Sequence, residues 1–485
     1  MPQQMLESVN TADNGHTVEK IGGTSMSRVS ELVGTLFKGG RAGGGLYNRI
    51  FVVSAFGGIT DMLLEHKKSG EPGVYAAFAN AESGHGWSDH LSRVAAAMRE
   101  AHCAVLDNPG DRTLADDFVR ERIEGARNCL IDLQRICSYG HFRLSHHMAI
   151  IRELLSGLGE AHSAFVTSVL LRRADIAARF VDLSGWCDEA EMSLDERIRG
   201  CLEGVDLSSE MPIVTGYAQC TEGLMREFDR GYSEVTFSRL AALTKAREAI
   251  IHKEFHLSSA DPKRVEDVRK LGHTSYDVAD QLSNMGMEAI HPSAAKMLRQ
   301  AGVPLRVTNA FEPEDPGTLI DEAPAEKAGC EIVAGLDVYA LELMEQDMVG
   351  VKGYDATILD ALTRHNASIV SKVSNANTIT HYVNAPLKTI RRVESDLSKA
   401  YPHAEINVRA LSIASVIGRD LSGQRALSRG LDCLERADIE IVAAHQITRN
   451  VDVQFIVRKD DLDNAVRALH GLVVENADGN QRKAA

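Results

Sequence analysis

The chain has 485 residues, 44% apolar and 25% charged, and carries a formal net charge of −15. That length implies about two to four domains, the apolar share can build cores without a partner, and the acidic balance argues against nucleic acid as a main partner. Eight cysteines with no C-x-x-C pair read as reduced cytosolic thiols, not as a disulfide framework or a zinc site.

The first segment, residues 1–15, has neither a basic start nor an apolar run, so it reads as a flexible tail and no signal peptide. No apolar stretch approaches the ~20 residues of a membrane span. The expectation is a cytoplasmic protein that engages neither membrane nor nucleic acid. Structure begins at "HTVEKIGGTSMSR" (16–28), where an apolar run stops at two glycines and a Thr-Ser pair. A Walker loop places its lysine after the last glycine. Here Lys20 comes first, at a strand end, with Gly22, Gly23 and Thr24 free to approach an anion as a helix starts. A second glycine corner follows in "VVSAFGGITDML" (52–63), with Ser54 at the strand end, Gly57, Gly58 and then Thr60 entering a helix. Two such corners on neighbouring strands make a cradle for phosphate. Each alone also fits a plain strand-turn-helix corner.

Residues 61–170 read as mostly helical, an insertion or lid, with a loose stretch "SGEPGVYAAFANAESGHGWSD" that has no clear placement. Short β-branched runs at 49–55, 177–183, 211–217, 248–254 and 303–309 alternate with helical patterns, which predicts a parallel sheet with helices on both faces. Around 312–330 the Pro, Glu and Ala content breaks both periodicities and reads as a linker. Beyond it, strand, helix, strand, strand, helix occurs twice, over 337–402 and again from 409 to 473, the signature of a paired small module.

Taken together, "VEKIGGTS" and "VVSAFGGITDML" resemble the first two signature segments of the aspartate kinases, members of the amino-acid kinase family. The resemblance continues in order through "SGLGEAHSAF" (156–165), "PIVTGYAQCTEG" (212–223), "SADPKRV" (259–265) and "MGMEAIHPSAAKML" (285–298). The two C-terminal repeats resemble paired ACT regulatory domains. The implied fold is α/β: an amino-acid-kinase-like three-layer sandwich with a mostly parallel central sheet, plus two C-terminal βαββαβ ACT-type (ferredoxin-like) modules. The implied boundaries are a catalytic domain at 16–320, a linker at 321–334, ACT modules at 335–404 and 405–476, and a second tail at 477–485.

The resemblance implies attack by the β-carboxylate of L-aspartate on the γ-phosphate of ATP, with Mg²⁺, to give 4-phospho-L-aspartate and ADP. A carboxylate needs no general base, so catalysis is positioning and charge neutralisation. Lys20 would bridge the transferring phosphoryl oxygens. Gly22, Gly23, Thr24, Gly57, Gly58, Asp261 and Pro262 would hold the nucleotide. Ser54 and Thr60 would hold the reacting carboxylate, Glu160 the ammonium, and Arg230 the α-carboxylate through a two-pronged pair. Ser233 and Glu234 complete the substrate set. In the regulatory half, Asp355, Asn375 and Asn377 are weak candidates for a threonine or lysine effector site. Asp355 could equally cap its helix, and the asparagines could close a hairpin.

Two positions depart from the family pattern. In "FDRGYSE" (228–234), Asp229, Tyr232 and Glu234 replace two glycines and an aspartate, so Tyr232 should force the loop to sit differently. Glu288 stands where the family has a phosphate-binding lysine, leaving that role to Lys253, Lys296 or a differently held Mg²⁺. "HTVEKIGGTSMS" and "FDRGYSEVTFSRLA" look most like the aspartate kinases associated with ectoine synthesis, against a housekeeping enzyme for lysine, threonine and methionine. No homoserine dehydrogenase segment follows the repeats, so a monofunctional homodimer paired through the ACT modules is expected. The rival readings are a glutamate-type kinase on the same fold and a non-catalytic amino-acid sensor.

Overall fold

The computed structural model describes residues 15–67, 69–80, 86–228, 231–287, 290–323 and 329–478. Two compact units emerge, one of Met1–His256 with Ile290–Glu322, the other of Leu257–Ala289 with Ala323–Ala485. The strands in chain order are β1 (Thr17–Ile21), β2 (Arg49–Val53), β3 (Ala178–Val181), β4 (Met211–Thr215), β5 (Glu248–Lys253), β6 (His273–Ser275), β7 (Leu305–Asn309), β8 (Thr318–Asp321), β9 (Gly329–Met344), β10 (Ser368–Ser374), β11 (Thr378–Asn384), β12 (Glu405–Arg419), β13 (Ile441–Gln446) and β14 (Asp452–Arg458).

In the first unit the sheet order is β3-β4-β2-β1-β5-β7-β8, parallel except for the antiparallel β7–β8 pair. β1, β2 and β4 are buried along their whole length, as parallel strands covered on both faces must be. The central β1 continues to β2 on one side and to β5 on the other, so the C-terminal strand ends around it form the crevice where open α/β sheets bind ligands. The five β-branched runs expected in this unit all form strands within two residues of their predicted ends.

The 61–170 region is helical as read, with Val74–Ala79 inside the stretch that had no placement, while residues 81–85 lie outside the described ones. It is not all insertion or lid. Met148–Arg173 packs on β3, β4 and β2 and buries sixteen of its residues. By length and composition this helix could cross a membrane, but 83% of its most apolar window is buried inside the protein, which marks a core helix.

The linker expectation is corrected at both ends. Thr318–Asp321 is a strand paired with β7, entered through Pro316 and Gly317, whose φ of +70° only glycine adopts freely. Gly329–Ala334 opens the sixteen-residue β9, and residues 324–328 lie outside the described ones. Pro, Glu and Ala hid two strands too short or too mixed to show a period.

In the second unit the sheet order is β10-β11-β9-β12-β14-β13. β9 and β12 pair antiparallel along nearly their full length, from Glu405↔Met344 to Arg419↔Gly329. Each βαββα repeat therefore takes the other's long strand as its fourth, which completes two ferredoxin-like modules around a shared centre. Two apolar clusters fill the halves, one around Phe455, Val453 and Leu469, the other around Leu341, Ile390 and Val393. Residues 257–289 group with this unit by compactness.

Candidate functional site

At the crevice, β1 delivers Lys20, which is 9% exposed, and Lys20 Nζ donates to Glu234 Oε1 at 3.2 Å. Glu234 sits in the first turn of the helix Tyr232–Leu243, and its Oε2 accepts from the backbone N–H of His291. Burial pushes the Glu234 carboxyl upward, but the charges of Lys20 and then Lys253 outweigh it and leave it below the usual range. Ser233 donates to Glu160 Oε1 at 2.9 Å. Glu160 projects from the core helix and is 1% exposed, and its Oε2 is buried with no hydrogen-bond partner among the described residues. Burial drives its pKa up to about 8, against the opposing pull of Ser233 and Lys20. A carboxyl buried in this way beside a strand-end lysine has the chemistry to accept an ammonium.

The two glycine corners meet. Gly57 donates its N–H to Ser27 Oγ at 3.0 Å, so that amide is bound within the protein and not held open for phosphate. A Cβ at Gly57 would stand 2.8 Å from Ser27 Oγ, and one at Gly23 would stand 2.9 Å from Ala55 O. These two glycines allow the corners to touch. Gly22 differs, since a Cβ there would meet nothing within 4 Å, which leaves open space at the cradle. Gly58 takes φ +83° before the helix Ile59–Leu63 that carries the half-buried Thr60. The helices after the corners, Gly23–Met26 and Ile59–Leu63, are four and five residues long, so backbone amides carry the electrostatics and the macrodipole adds little. Thr24 is exposed on the first of them. Ser54 follows β2, donates its N–H to Ile21 O at 3.2 Å, and receives Ser163 Oγ on its carbonyl at 2.7 Å.

Arg230, Asp229 and Glu288 are outside the described residues. Asp261 and Pro262 belong to the second compact unit, where the Asp261 carboxylate accepts the N–H of Lys263 at 2.9 Å and so ties its own turn. Tyr232 opens a helix with its ring 2% exposed and packed edge-on against Tyr217 at 5.7 Å, and the two residues before Gly231 in its loop lie outside the described ones. The glycine that remains, Gly231, is sterically required: a Cβ there would stand 2.3 Å from the His291 ring.

A buried charge network behind the site was not read from the sequence. Glu19 takes both prongs of Arg49 at 2.7 and 2.9 Å and meets His252 Nε2 at 2.8 Å, and His252 Nδ1 meets Thr308 at 2.7 Å. Burial opposes ionisation of Glu19, but Arg49 and His252 hold it charged far below the usual range. The available signal was the pair Glu19-Lys20 inside a strand read as buried, since a buried carboxylate requires a cation.

In the second unit, Asp355 makes no helix cap; its carboxylate lies 2.6 Å from Lys372 Nζ and 3.2 Å from the buried His381 Nε2. Asn375 closes the β10–β11 hairpin, its side chain accepting from the N–H groups of Asn377 and Thr378 at 3.1 and 2.9 Å. Asn377 Oδ1 accepts from Thr378 Oγ1 at 3.3 Å.

Residues 16–309 match the model of the amino acid kinase family. The chain is 49% identical over 464 residues to the aspartate kinase Ask_Ect of Stutzerimonas stutzeri (strain A1501), covering 95% of this chain and 98% of that protein. Its fold resembles that of E. coli aspartokinase III in complex with lysine and aspartate (T-state), with a TM-score of 0.72 at 19% identity over 94% of this chain and 99% of that one. The aspartate kinase of Clostridium acetobutylicum gives a TM-score of 0.66 at 18% identity, over 94% and 100%.

Proposed function

The chain belongs to the amino acid kinase family and is an ATP-dependent aspartate kinase, and from that premise we propose the roles of its residues. The observation that carries the reading is the pairing of Lys20 with Glu234 at the strand ends beside the half-empty buried carboxyl of Glu160. Glu160 takes the ammonium of L-aspartate on Oε2, giving up its proton as the substrate's charge arrives. Arg230 takes the α-carboxylate, Ser54 and Thr60 orient the β-carboxylate, and Ser233 keeps Glu160 in place. The open side of Gly22, with Gly23, Thr24 and Gly58, admits the phosphates, and Gly57 braces the two corners through Ser27.

Mg²⁺ enters with ATP as part of that substrate. The chemistry of the carboxylates at the cradle fits such an ion, since Mg²⁺ is ordinarily held by substrate phosphates and one or two carboxylates. Glu234, which meets Lys20 at the cradle, would be the carboxylate to help hold it. As the oxygen–phosphorus bond to the β-carboxylate forms and the bond to ADP breaks, Lys20 swings its charge from Glu234 to the transferring oxygens. In the transfer step itself no proton has to move.

The product feeds aspartate-derived synthesis, and the 49% identity to a protein named Ask_Ect favours ectoine as the pathway served. The two-module unit acts as an amino-acid-responsive regulatory half, in a cytoplasmic homodimer paired through these modules. ATP-dependent hydroxamate from aspartate and hydroxylamine, with glutamate and no acceptor as controls, tests the reading. Product with glutamate but none with aspartate would overturn it.

A further inference from the structure

The two glycine corners are joined first by the sheet. β1 and β2 run parallel with Ile21 opposite Val53, and the next rung is the Ser54 N–H donated to Ile21 O at 3.2 Å. Past that rung the side chain of Ser27 reaches across. Ser27 ends the helix Gly23–Met26, accepts the Gly57 N–H on Oγ at 3.0 Å and turns its own hydrogen toward Gly23 O at 3.4 Å. A hydroxyl both donates and accepts, so the two contacts hold at once.

The two corners carry different halves of the reaction. The first, with Gly22 beside open space, admits the phosphates, while Ser54 and Thr60 flank the second and orient the reacting carboxylate. The second corner is also tied to the helix of Glu160, since Ser163 Oγ donates to Ser54 O at 2.7 Å. Ser27 therefore links the part that holds the phosphoryl donor to the part that holds the acceptor and its ammonium. Ser27, Gly57 and Gly58 are exposed, and they line a cavity of about 590 Å³ together with Phe56, Met62 and His90. Water reaches the back of the bridge, and loss of the hydroxyl removes nothing from a core.

We infer that Ser27 is a positioning residue for phosphoryl transfer, whose hydroxyl sets the spacing between the transferring phosphorus and the attacking carboxylate oxygen. The inference rests on the kinase reading above and adds to it a residue that need touch neither substrate. In-line transfer depends on that spacing, and a displacement on the order of 1 Å at the reacting atoms costs about 10²-fold. A looser second corner also admits water from the cavity. Its attack on the γ-phosphate releases ADP, inorganic phosphate and a proton in place of the acyl phosphate.

The test compares full-length wild type, Ser27→Ala and Ser27→Thr by ADP release, by hydroxamate from aspartate and hydroxylamine, and by calorimetric binding of ADP. Ser27→Ala should lose about 10-fold or more in kcat, while the KM for aspartate and the affinity for ADP change by under about 2-fold. ADP released per hydroxamate should rise above the wild-type ratio. Ser27→Thr keeps the hydroxyl and should recover most of the rate and the ratio. Unchanged or raised kcat in Ser27→Ala would mean that the hydroxyl only withholds the Gly57 amide from phosphate, and would overturn the inference. So would a loss of kcat matched by an equal loss of ADP affinity and a lowered melting temperature, the mark of a local fold contact. Wild type that binds ADP but makes no hydroxamate from aspartate would sink the kinase reading, whereas a coupled wild type beside a fully active, coupled Ser27→Ala would sink this inference alone.

Discussion

Glu160 offers the sharpest quantitative test, because its burial couples folding, proton binding and substrate binding. The folded carboxyl has a pKa of about 8 against an ordinary 4.5. Between those values the folded state holds a proton that the unfolded state has released. Stability then falls with rising pH by about 1.4 kcal/mol per unit, fully present below 4.5 and lost as pH rises through 8. By pH 7 the cost is about 3 kcal/mol, since roughly 2.5 units of that window have been crossed. Glu160→Gln keeps the acceptor for Ser233 and removes the titration. The variant should match wild type in urea denaturation near pH 4.5 and exceed it by about 2–4 kcal/mol at pH 7–8. The same proton governs substrate: about a tenth of wild-type molecules carry ionised Glu160 at pH 7, so aspartate affinity should tighten up to about 10-fold toward pH 8.5. Proton release on binding should appear as a buffer-dependent heat. Parallel stability profiles for wild type and Glu160→Gln, with no pH dependence of aspartate binding, would refute the reasoning.

Three further outcomes follow from the same geometry. Lys20→Ala should lose on the order of 10²-fold in kcat with a smaller change in ATP affinity, read by coupled ADP release; equal activity would reduce the first glycine corner to a structural turn. Glu19→Gln should cost about 3–5 kcal/mol in chemical denaturation, because it leaves the Arg49 charge buried beside a neutral partner, and a loss under about 1 kcal/mol would mean water reaches that network. Lys372→Ala frees the Asp355 carboxylate from its intramolecular ammonium, so threonine or lysine should inhibit the variant more strongly than wild type; unchanged inhibition would place the effector contact elsewhere.

Much of the fold was legible because its signals are local. β-branched runs marked β2, β3, β4, β5 and β7, and the doubled strand-helix order marked the two regulatory modules. The strands that escaped notice were those whose stabilisation is not local. β8 is four residues held by pairing with β7, and the first third of β9 gains its order from β12, some eighty residues later in the chain. No window on the sequence contains both partners.

The site divides in the same way. Lys20, Glu160, Ser233 and Glu234 were legible as residue types in ordered segments, and the structure brings them together. What those residues do to one another was not legible, because it depends on register and burial. The bulk of Tyr232 is legible in the sequence, but not that the first turn of its helix directs the ring against Tyr217. Gly57 was read as a phosphate donor by its neighbours in sequence, and a serine thirty residues earlier claims its N–H. Asp355 was weighed as a helix cap or a receptor for an ammonium. It meets an ammonium, supplied by the chain itself from β10. Were an effector's ammonium to bind at this carboxylate, it would first have to displace the tethered cation of Lys372. A regulatory module can in this way keep its fold and its acidic residue while responding only weakly, with no loss of the site itself.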